Sequence, residues 1–458
     1  MNLKPYPIPF TDITGQEYKD SGIEWIGEVP EGWEVKKLKY VCNEYAEYGL
    51  NIEAENYRSE GIRFIRTTDL DNYGNLKDEG VYINPILAKN YILKDGDILI
   101  SRSGTIGRSF LYESNKNREA TYAGYLVRYS LDLKKAYPKY LFYFTLSYSF
   151  YEWLKTQLIE TTIGNVNGQK YANMFLPMPP KDEQIRLSTF LDHKTARIDE
   201  LIKKNEKLIE LLKEKRQAII SQAVTKGLDP NAKMHVPVTE QGKDSGIEWR
   251  GEVPVGWEVK RLKYVANVNP EALTENINTA YELKYVDISN VGEEGLINES
   301  ETMLFEDSPS RARRIIRQND VIVSTVRTYL KAIAYFPNPD SNLIASTGFA
   351  VLRASDAVLP KLLYYFVRSD FFVESIMANS VGVSYPAINS SVVAGLPILV
   401  PPKNQQSEII KFLDKQTKKY NDLMKKILSQ TAILKEYRQA LISNVVTGKV
   451  KVDEYAKI

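Results

Sequence analysis

One cysteine and two histidines in 458 residues close off several chemistries at once. Cys42 alone excludes an intrachain disulfide and any multi-cysteine metal site, and it fits a reducing compartment. His193 and His235 leave little for histidine-based acid–base catalysis or for metal binding. No apolar run approaches the ~18 residues that span a bilayer, and the opening MNLKPYPIPFTDITGQ has neither the basic segment nor the apolar core of a signal peptide. The chain is therefore expected to be soluble and cytoplasmic. There is no GxxxxGK[ST] phosphate loop, so ATP hydrolysis of the usual kind is not expected. Methyl transfer calls for a glycine-rich cofactor loop and, on adenine, an Asn or Asp followed by Pro-Pro and an aromatic; neither is present. The nearest thing to a nuclease cluster is Glu271 with Glu282 and Lys284, which has no equivalent in the first half of the chain. A net charge of only +2 argues against a uniformly basic nucleic-acid binder.

What is present is present twice. Lys19 to Val41 reads KDSGIEWIGEVPEGWEVKKLKYV, and Lys243 to Val265 reads KDSGIEWRGEVPVGWEVKRLKYV. The copies lie 224 residues apart, far beyond the roughly 20 to 50 residues of a solenoid period. Pro138 to Phe144 recurs as Pro360 to Phe366, Phe190-Leu191-Asp192 as Phe412-Leu413-Asp414, and Arg216-Gln217-Ala218 as Arg438-Gln439-Ala440, all offset by 222. The halves diverge mainly over residues 42–120 and 266–342. Two similar domains related by a pseudo-two-fold axis follow, a constant frame holding two inserts suited to reading two different things.

Prolines at 177, 179 and 180, and again at 397, 401 and 402, precede long segments without Pro or Gly that end near Gly227 and Gly448. These are helix start and stop signals. A 4-3 spacing predicts a coiled-coil seam through Leu187, Leu191, Ile198, Leu201, Leu208, Leu212 and Ile219, with Asn205 among them. Moved by 222 it gives Ile409, Leu413, Tyr420, Leu423, Ile427, Leu434, Tyr437 and Leu441. Each narrow seam needs a partner, and the economical partner is the other helix, antiparallel to the first, with Asn205 facing the region of Ile427 and fixing register. The alternative is that each helix simply covers its own domain.

The globular parts read as mixed α and β. Ile98 to Ser101 and Val321 to Ser324 are predicted buried strands, each followed by a polar loop. Tyr125 to Val127 and Phe349 to Val351 are matching strands, and Pro138 to Gln157 and Pro360 to Ala378 are aromatic-rich helices. The charge is unevenly placed: residues 270–310 hold ten acids against Lys284, and residues 311–331 hold six bases against Asp320. That second run reads either as a phosphate-binding stripe or as a solvated face balancing its acidic neighbours. The loops reading Thr161 to Gln169 and Ser380 to Tyr385 likewise read as contact loops or as exposed turns; their recurrence in both halves favours function.

Taken together, the twice-used opening, the Pro-Pro ahead of each long helix, the FLD and RQA triplets, and the closing Thr225-Lys226-Gly227 and Thr447-Gly448-Lys449 resemble the specificity subunits of type I restriction-modification systems over essentially the whole chain. The resemblance implies an α+β fold: two target-recognition domains, each reading one half of a bipartite DNA sequence, separated by a pair of long antiparallel coiled-coil helices. The expected boundaries are a first recognition domain at 1–176, a spacer helix at 177–227, a linker at 228–242, a second recognition domain at 243–396, a second spacer helix at 397–449 and a tail at 450–458. It also implies double-stranded DNA and two methyltransferase subunits carrying S-adenosylmethionine as partners, often with two translocating restriction subunits that use ATP and magnesium. This chain itself is expected to hold no cofactor or metal and no catalytic residue. The residues around Lys19 are expected to pack near the end of the second helix, much as Lys243 follows the first.

By residue type and loop position, the candidate DNA contacts of the first domain are Arg66, Thr67, Arg102, Ser103, Thr105, Arg108, Asn165, Asn167 and Gln169. Those of the second are Ser289, Asn290, Arg311, Arg313, Arg314, Thr325, Arg327, Tyr329 and Ser384. Two other classes of reading remain at this stage: a stand-alone nuclease or methyltransferase with duplicated domains, and a coiled-coil adaptor that does not touch DNA.

Overall fold

The two longest elements begin directly after the paired prolines, as helices Lys181–Lys226 and Lys403–Val446. Gly227 and Gly448 follow them at φ 77° and 72°, the left-handed conformation that ends helices. In the computed structural model, which describes residues 17–159, 164–236, 251–292, 295, 300–382 and 384–452, the chain forms two units. One comprises Met1–Glu206 with Leu428–Ile458, the other Lys207–Ile427. Each unit thus owns the opening of one long helix and the close of the other. Residues 243–250 of the second repeat copy, Thr161 to Ile163, residues 237–242 of the expected linker and the end of the tail lie outside the described residues.

Within each unit the two helical segments run antiparallel, because partner numbers fall on one helix as they rise on the other. In the first unit Asp199 takes a bidentate pair from Arg438 at 2.8 and 3.1 Å, and Asn205 Nδ2 donates to Thr431 Oγ1 at 3.2 Å. In the second, Leu212 packs with Met424 and Ile427, and Arg216 donates to Asn421. The internal repeat is visible side chain by side chain. Lys139 and Tyr143 reach Asp192 at 2.7 and 2.8 Å, as Lys361 and Tyr365 reach Asp414 at 2.7 Å each. Trp33 Nε1 donates to Glu183, as Trp257 Nε1 donates to Gln405.

The seam departs from the strict heptad. Its buried or half-buried positions are 187, 191, 195, 198, 202, 205, 209, 212, 216 and 220, and the same set shifted by 222. Nine steps therefore cover 33 residues, near the 3.6 of a straight α-helix rather than the 3.5 of a heptad. Leu187, Leu191, Ile198, Leu212, Ile409, Leu413, Tyr420, Ile427 and Leu434 lie on it as expected. Leu201, Leu208, Leu423 and Tyr437 do not: they are 40 to 43% exposed, and Ile202, Ile209, Met424 and Arg438 take their places. Ile219 and Leu441 sit one residue before Ile220 and Ile442 and are covered with them, Leu441 buried and Ile219 half-buried. Asn205 bonds Thr431, one turn beyond the residue expected to face it. The register is directly testable: Ile202→Ala should lower stability to chemical denaturation by ~2 to 4 kcal/mol, whereas Leu201→Ala should change it by less than ~0.5.

Each globular part pairs a four-stranded antiparallel sheet with a second sheet. In the first unit the four strands run in the order Cys42–Tyr48, Leu126–Leu131, Ile98–Ser101, Ser109–Leu111, beside a three-stranded sheet centred on Ile62–Ile65. In the second unit the order is Ala266–Val268, Phe349–Ala354, Asp320–Ser324, Ile333–Phe336. Its second sheet has four strands, because Ala312–Ile315, which carries arginines, joins the edge. Arg353 forks onto the fully buried Asp320 at 2.9 Å twice, and Arg128 reaches the buried Asp97 at 3.5 Å, so each domain pairs a buried aspartate with an arginine of this sheet.

The expected single helix after Pro138 is two, Pro138–Thr145 and Tyr148–Ile159; its counterparts are Pro360–Val367 and Asp370–Ala378. Ser147 and Ser369 stand at the breaks, their hydroxyls accepting from Phe150 N and Phe372 N as helix caps do. The residues around Lys19 meet the end of the second helix as anticipated: Tyr18 OH donates to Gly448 O at 2.9 Å, and Ile26, Val29 and Trp33 share a core with Ile442, Val445 and Val446. Cys42 Sγ donates to Leu38 O, and burial pushes the thiol up to about 12, so at neutral pH it is not a nucleophile. Among the described residues no helix is long and apolar enough to cross a membrane.

Candidate nucleic-acid interface

In each unit two loops predicted as contact loops meet at the end of the four-stranded sheet. Leaving strand Ile98–Ser101, Arg102 N donates to Tyr125 O at 3.0 Å, its carbonyl accepts from Val166 N at 3.0 Å, and Ser103 bridges Asn165. Leaving strand Asp320–Ser324, Thr325 N donates to Gly348 O at 2.8 Å, its carbonyl accepts from Ile388 N at 2.8 Å, and Val326 bridges Ala387. Ser101 Oγ and Ser324 Oγ each close their loop onto the carbonyl two residues on. The backbone is thus the same device twice, with different side chains mounted on it.

In the first unit the mounted group is Arg102, whose guanidinium lies 5.0 Å over the Tyr48 ring. Tyr48 is held from below, its hydroxyl accepting from Gly168 N at 3.0 Å. Arg102 Nε and Asn165 Oδ1 are both buried atoms without a hydrogen-bond partner. A donor and an acceptor left without a protein partner in one loop pair call for water or a ligand to complete them. Ser103 and Thr105 sit beside them, half-buried, and Thr105 Oγ1 approaches Thr67 O at 3.5 Å. Gln169 is exposed.

Three of the first domain's candidates are engaged in building the site. Arg66 forks onto Asp69 at 2.7 and 3.2 Å, which raises its pKa, and lies over Tyr57. Arg108 donates to Asn72 Oδ1 and Leu70 O at 2.9 and 2.7 Å. Asn167 caps helix Gly168–Ala172 by accepting from Lys170 N.

In the second unit Arg311 and Arg327 line a cleft of about 690 Å³ with Asp287, Thr347 and Tyr385. Arg327 stacks 5.0 Å over the Tyr385 ring. Tyr329 and Ser384 are exposed nearby in sequence. Thr325 is a correction: it is 5% exposed and its hydroxyl donates to Gly348 O at 2.9 Å, so it fixes the loop and cannot reach a base. Ser289 and Asn290 form a local cap with Asp287, their atoms at 2.6 to 2.9 Å from it.

The basic run is no single stripe. Arg317 pairs with Glu271 at 2.8 Å and Arg313 lies over Phe305, whereas Arg314 has a buried Nε without a partner and a pKa lowered by burial. The strand that carries Arg313 and Arg314 has a register irregularity between Ala312 and Arg314, so the two arginines do not follow a regular alternation. Glu271 also holds Arg353, and these two arginine contacts lower its pKa, while Lys284 pairs with Asp340 at 2.6 Å. Two members of the loose nuclease pattern, Glu271 and Lys284, are therefore engaged as counter-ions. Among the described residues no three His, Cys, Asp or Glu gather as metal ligands.

The type I restriction modification DNA specificity domain family matches residues 30–211 and 254–431, one match in each repeat. The chain belongs to this family. The MjaVIII specificity subunit of Methanocaldococcus jannaschii is 22% identical, covering 96% of this chain and 98% of its own length. The EcoBI specificity subunit of Escherichia coli is 20% identical over 95% of this chain and 90% of its own. A solved structure from work on complex assembly and conformational transition of the type I R-M system superimposes with a TM-score of 0.67 at 17% identity, covering 92% of this chain and 99% of that one, and shows the fold.

Within this specificity-domain frame, the residues missed from sequence are aromatic. Tyr48, Tyr125 and Tyr385 are 40, 59 and 67% exposed at the two loop clusters. Tyr385 stands at the end of a predicted contact loop, whereas Tyr48 lies 54 residues before Arg102 and carries no local signal; a ring face both orients a guanidinium and stacks on a base.

Proposed function

We propose that this chain is the DNA sequence-specificity subunit of a type I restriction-modification complex, with no catalytic step of its own. The observation that carries the reading is the repeated loop pair: one backbone device in both units, presenting Arg102 with Tyr48 in one and Arg327 with Tyr385 in the other. A constant scaffold with variable polar tips suits recognition of two different half-sites, where one bidentate base contact discriminates by ~1 to 3 kcal/mol. Phosphate contacts from the remaining basic residues set position rather than sequence.

The proposed partners are double-stranded DNA, two methyltransferase subunits that supply S-adenosylmethionine, and, in a restriction-competent complex, two translocating subunits that supply ATP and magnesium. The unbroken helices support a spacer role: 46 residues at ~1.5 Å each give a rod of about 70 Å. We propose that this length sets the number of unread base pairs, and that the pseudo-dyad presents opposite strands to the two methyltransferases.

Modified-base sequencing of the source genome with and without this gene tests the reading. A split, adenine-methylated motif should be present in the first and absent in the second. Persistence of every methylated motif after deletion contradicts it, as does methylation or cleavage by the isolated chain given DNA, magnesium and S-adenosylmethionine.

A further inference from the structure

The units share a frame but place their arginines differently on it. Arg102 occupies the position that Thr325 holds in the second unit, where the arginine comes two residues later. That residue, Arg327, has φ 47° and ψ 49°, a left-handed conformation that is unfavourable without a glycine. Such strain persists only where the surroundings over-determine it, and it clusters at binding sites.

The surroundings here are well defined. Thr325 ties the loop to Gly348 and Ile388, and Thr328 Oγ1 lies 3.0 Å from Ser380 Oγ. Tyr385 is tied to that loop through its backbone neighbours. It stands in a hairpin whose ends, Val381 and Ala387, exchange backbone bonds at 2.8 and 3.0 Å, and Ala387 also bridges Val326 in the arginine's own loop. Gly382 permits the turn at φ 113°, where a Cβ would come within 3.1 Å of Tyr385 O. The guanidinium lies over the ring, and among the described residues no carboxylate pairs with it.

A guanidinium with one face against a ring offers its edge, in a set plane, as two parallel N–H donors. Guanine is the base that presents two acceptors side by side, O6 and N7, in the major groove. A phosphate can take the same edge, but it does not need that edge held in a fixed plane.

We propose that Arg327, oriented by Tyr385, reads a guanine in the half-site bound by residues 207–427. The inference rests on the DNA-specificity reading above and adds a base identity to it: that half-site contains a G·C pair recognised through guanine O6 and N7.

The test uses the full chain assembled with its methyltransferase partner and duplexes bearing the methylated bipartite sequence. Each guanine of both half-sites is replaced in turn by 7-deazaguanine, which removes N7 and keeps base pairing. The wild type should bind at least ~5-fold more weakly at a position in one half-site. Arg327→Ala should bind native and 7-deaza duplexes within about twofold at that position, with its preferences in the other half-site unchanged. Tyr385→Leu, which keeps the arginine but releases its plane, should give a partial loss at the same position. Equal weakening on every duplex, with the salt slope reduced by about one, would make Arg327 a phosphate ligand and overturn the proposal. A wild-type scan with no sensitive guanine also overturns it and needs no variant to fold. A wild-type assembly without any sequence preference is a different failure, that of the DNA-specificity reading itself.

Discussion

Exchanging residues 42–160 for the matching segment of another specificity subunit should replace one half-site of the methylated sequence and leave the other intact. The segment contains Tyr48, Arg102, Ser103, Thr105 and the strands that hold them, whereas the second unit is assembled wholly from residues 207–427. The frame that receives the segment lies outside it: the strand pair Glu34–Lys37 with Phe175–Met178, and the helical positions Glu183, Leu187, Leu191 and Asp192. A donor segment that keeps the lysine and tyrosine equivalent to Lys139 and Tyr143 preserves the Asp192 contacts. Specific and non-specific DNA binding typically differ by ~10³-fold or more. Methylation of the original sequence should therefore fall to background while the hybrid sequence appears, as modified-base sequencing reads directly. A change in both half-sites would mean that the units do not read independently.

The repeat, the start and stop of both long helices and the buried strands after Gly96 and Asn319 were legible in the sequence because each rests on local pattern: proline and glycine punctuation, an offset of 222 and short apolar runs. The helix seam was half legible. Ile198 and Leu212 fit either a 3.5 or a 3.6 period, whereas Leu201 and Ile202 are both aliphatic, and only the partner helix decides which one is covered. The break after Thr145 was written in Ser147, a capping residue that a search for continuous aromatic periodicity passes over.

At the candidate interface, residue type identified the loops but not the roles within them. Thr325 and Arg102 have the same backbone contacts, yet one is buried and the other carries an unfilled Nε. Arg66 and Arg108 looked like donors to DNA because the sequence does not show Asp69 or Asn72 beside them. Tyr48 enters from a strand more than fifty residues earlier, a contact that only the sheet order Cys42–Tyr48 next to Leu126–Leu131 brings about.

Lengthening both long helices together tests the central claim most directly, namely that helix length sets the spacing between two independently read half-sites. The unit boundaries, Glu206/Lys207 and Ile427/Leu428, are the places to insert, since each unit then keeps its own core and the Asn205–Thr431 and Arg216–Asn421 contacts that fix its register. The insertion must also preserve the seam. Six steps at the observed spacing need about 22 residues per helix, which adds roughly 33 Å, close to one turn of duplex at ~34 to 36 Å and ~10 base pairs. With both the apolar face and the DNA face in phase, mapping of methylated positions should show both half-sites unchanged and the unread gap wider by about ten base pairs. An active assembly that methylates the original sequence with its gap unaltered would contradict the account.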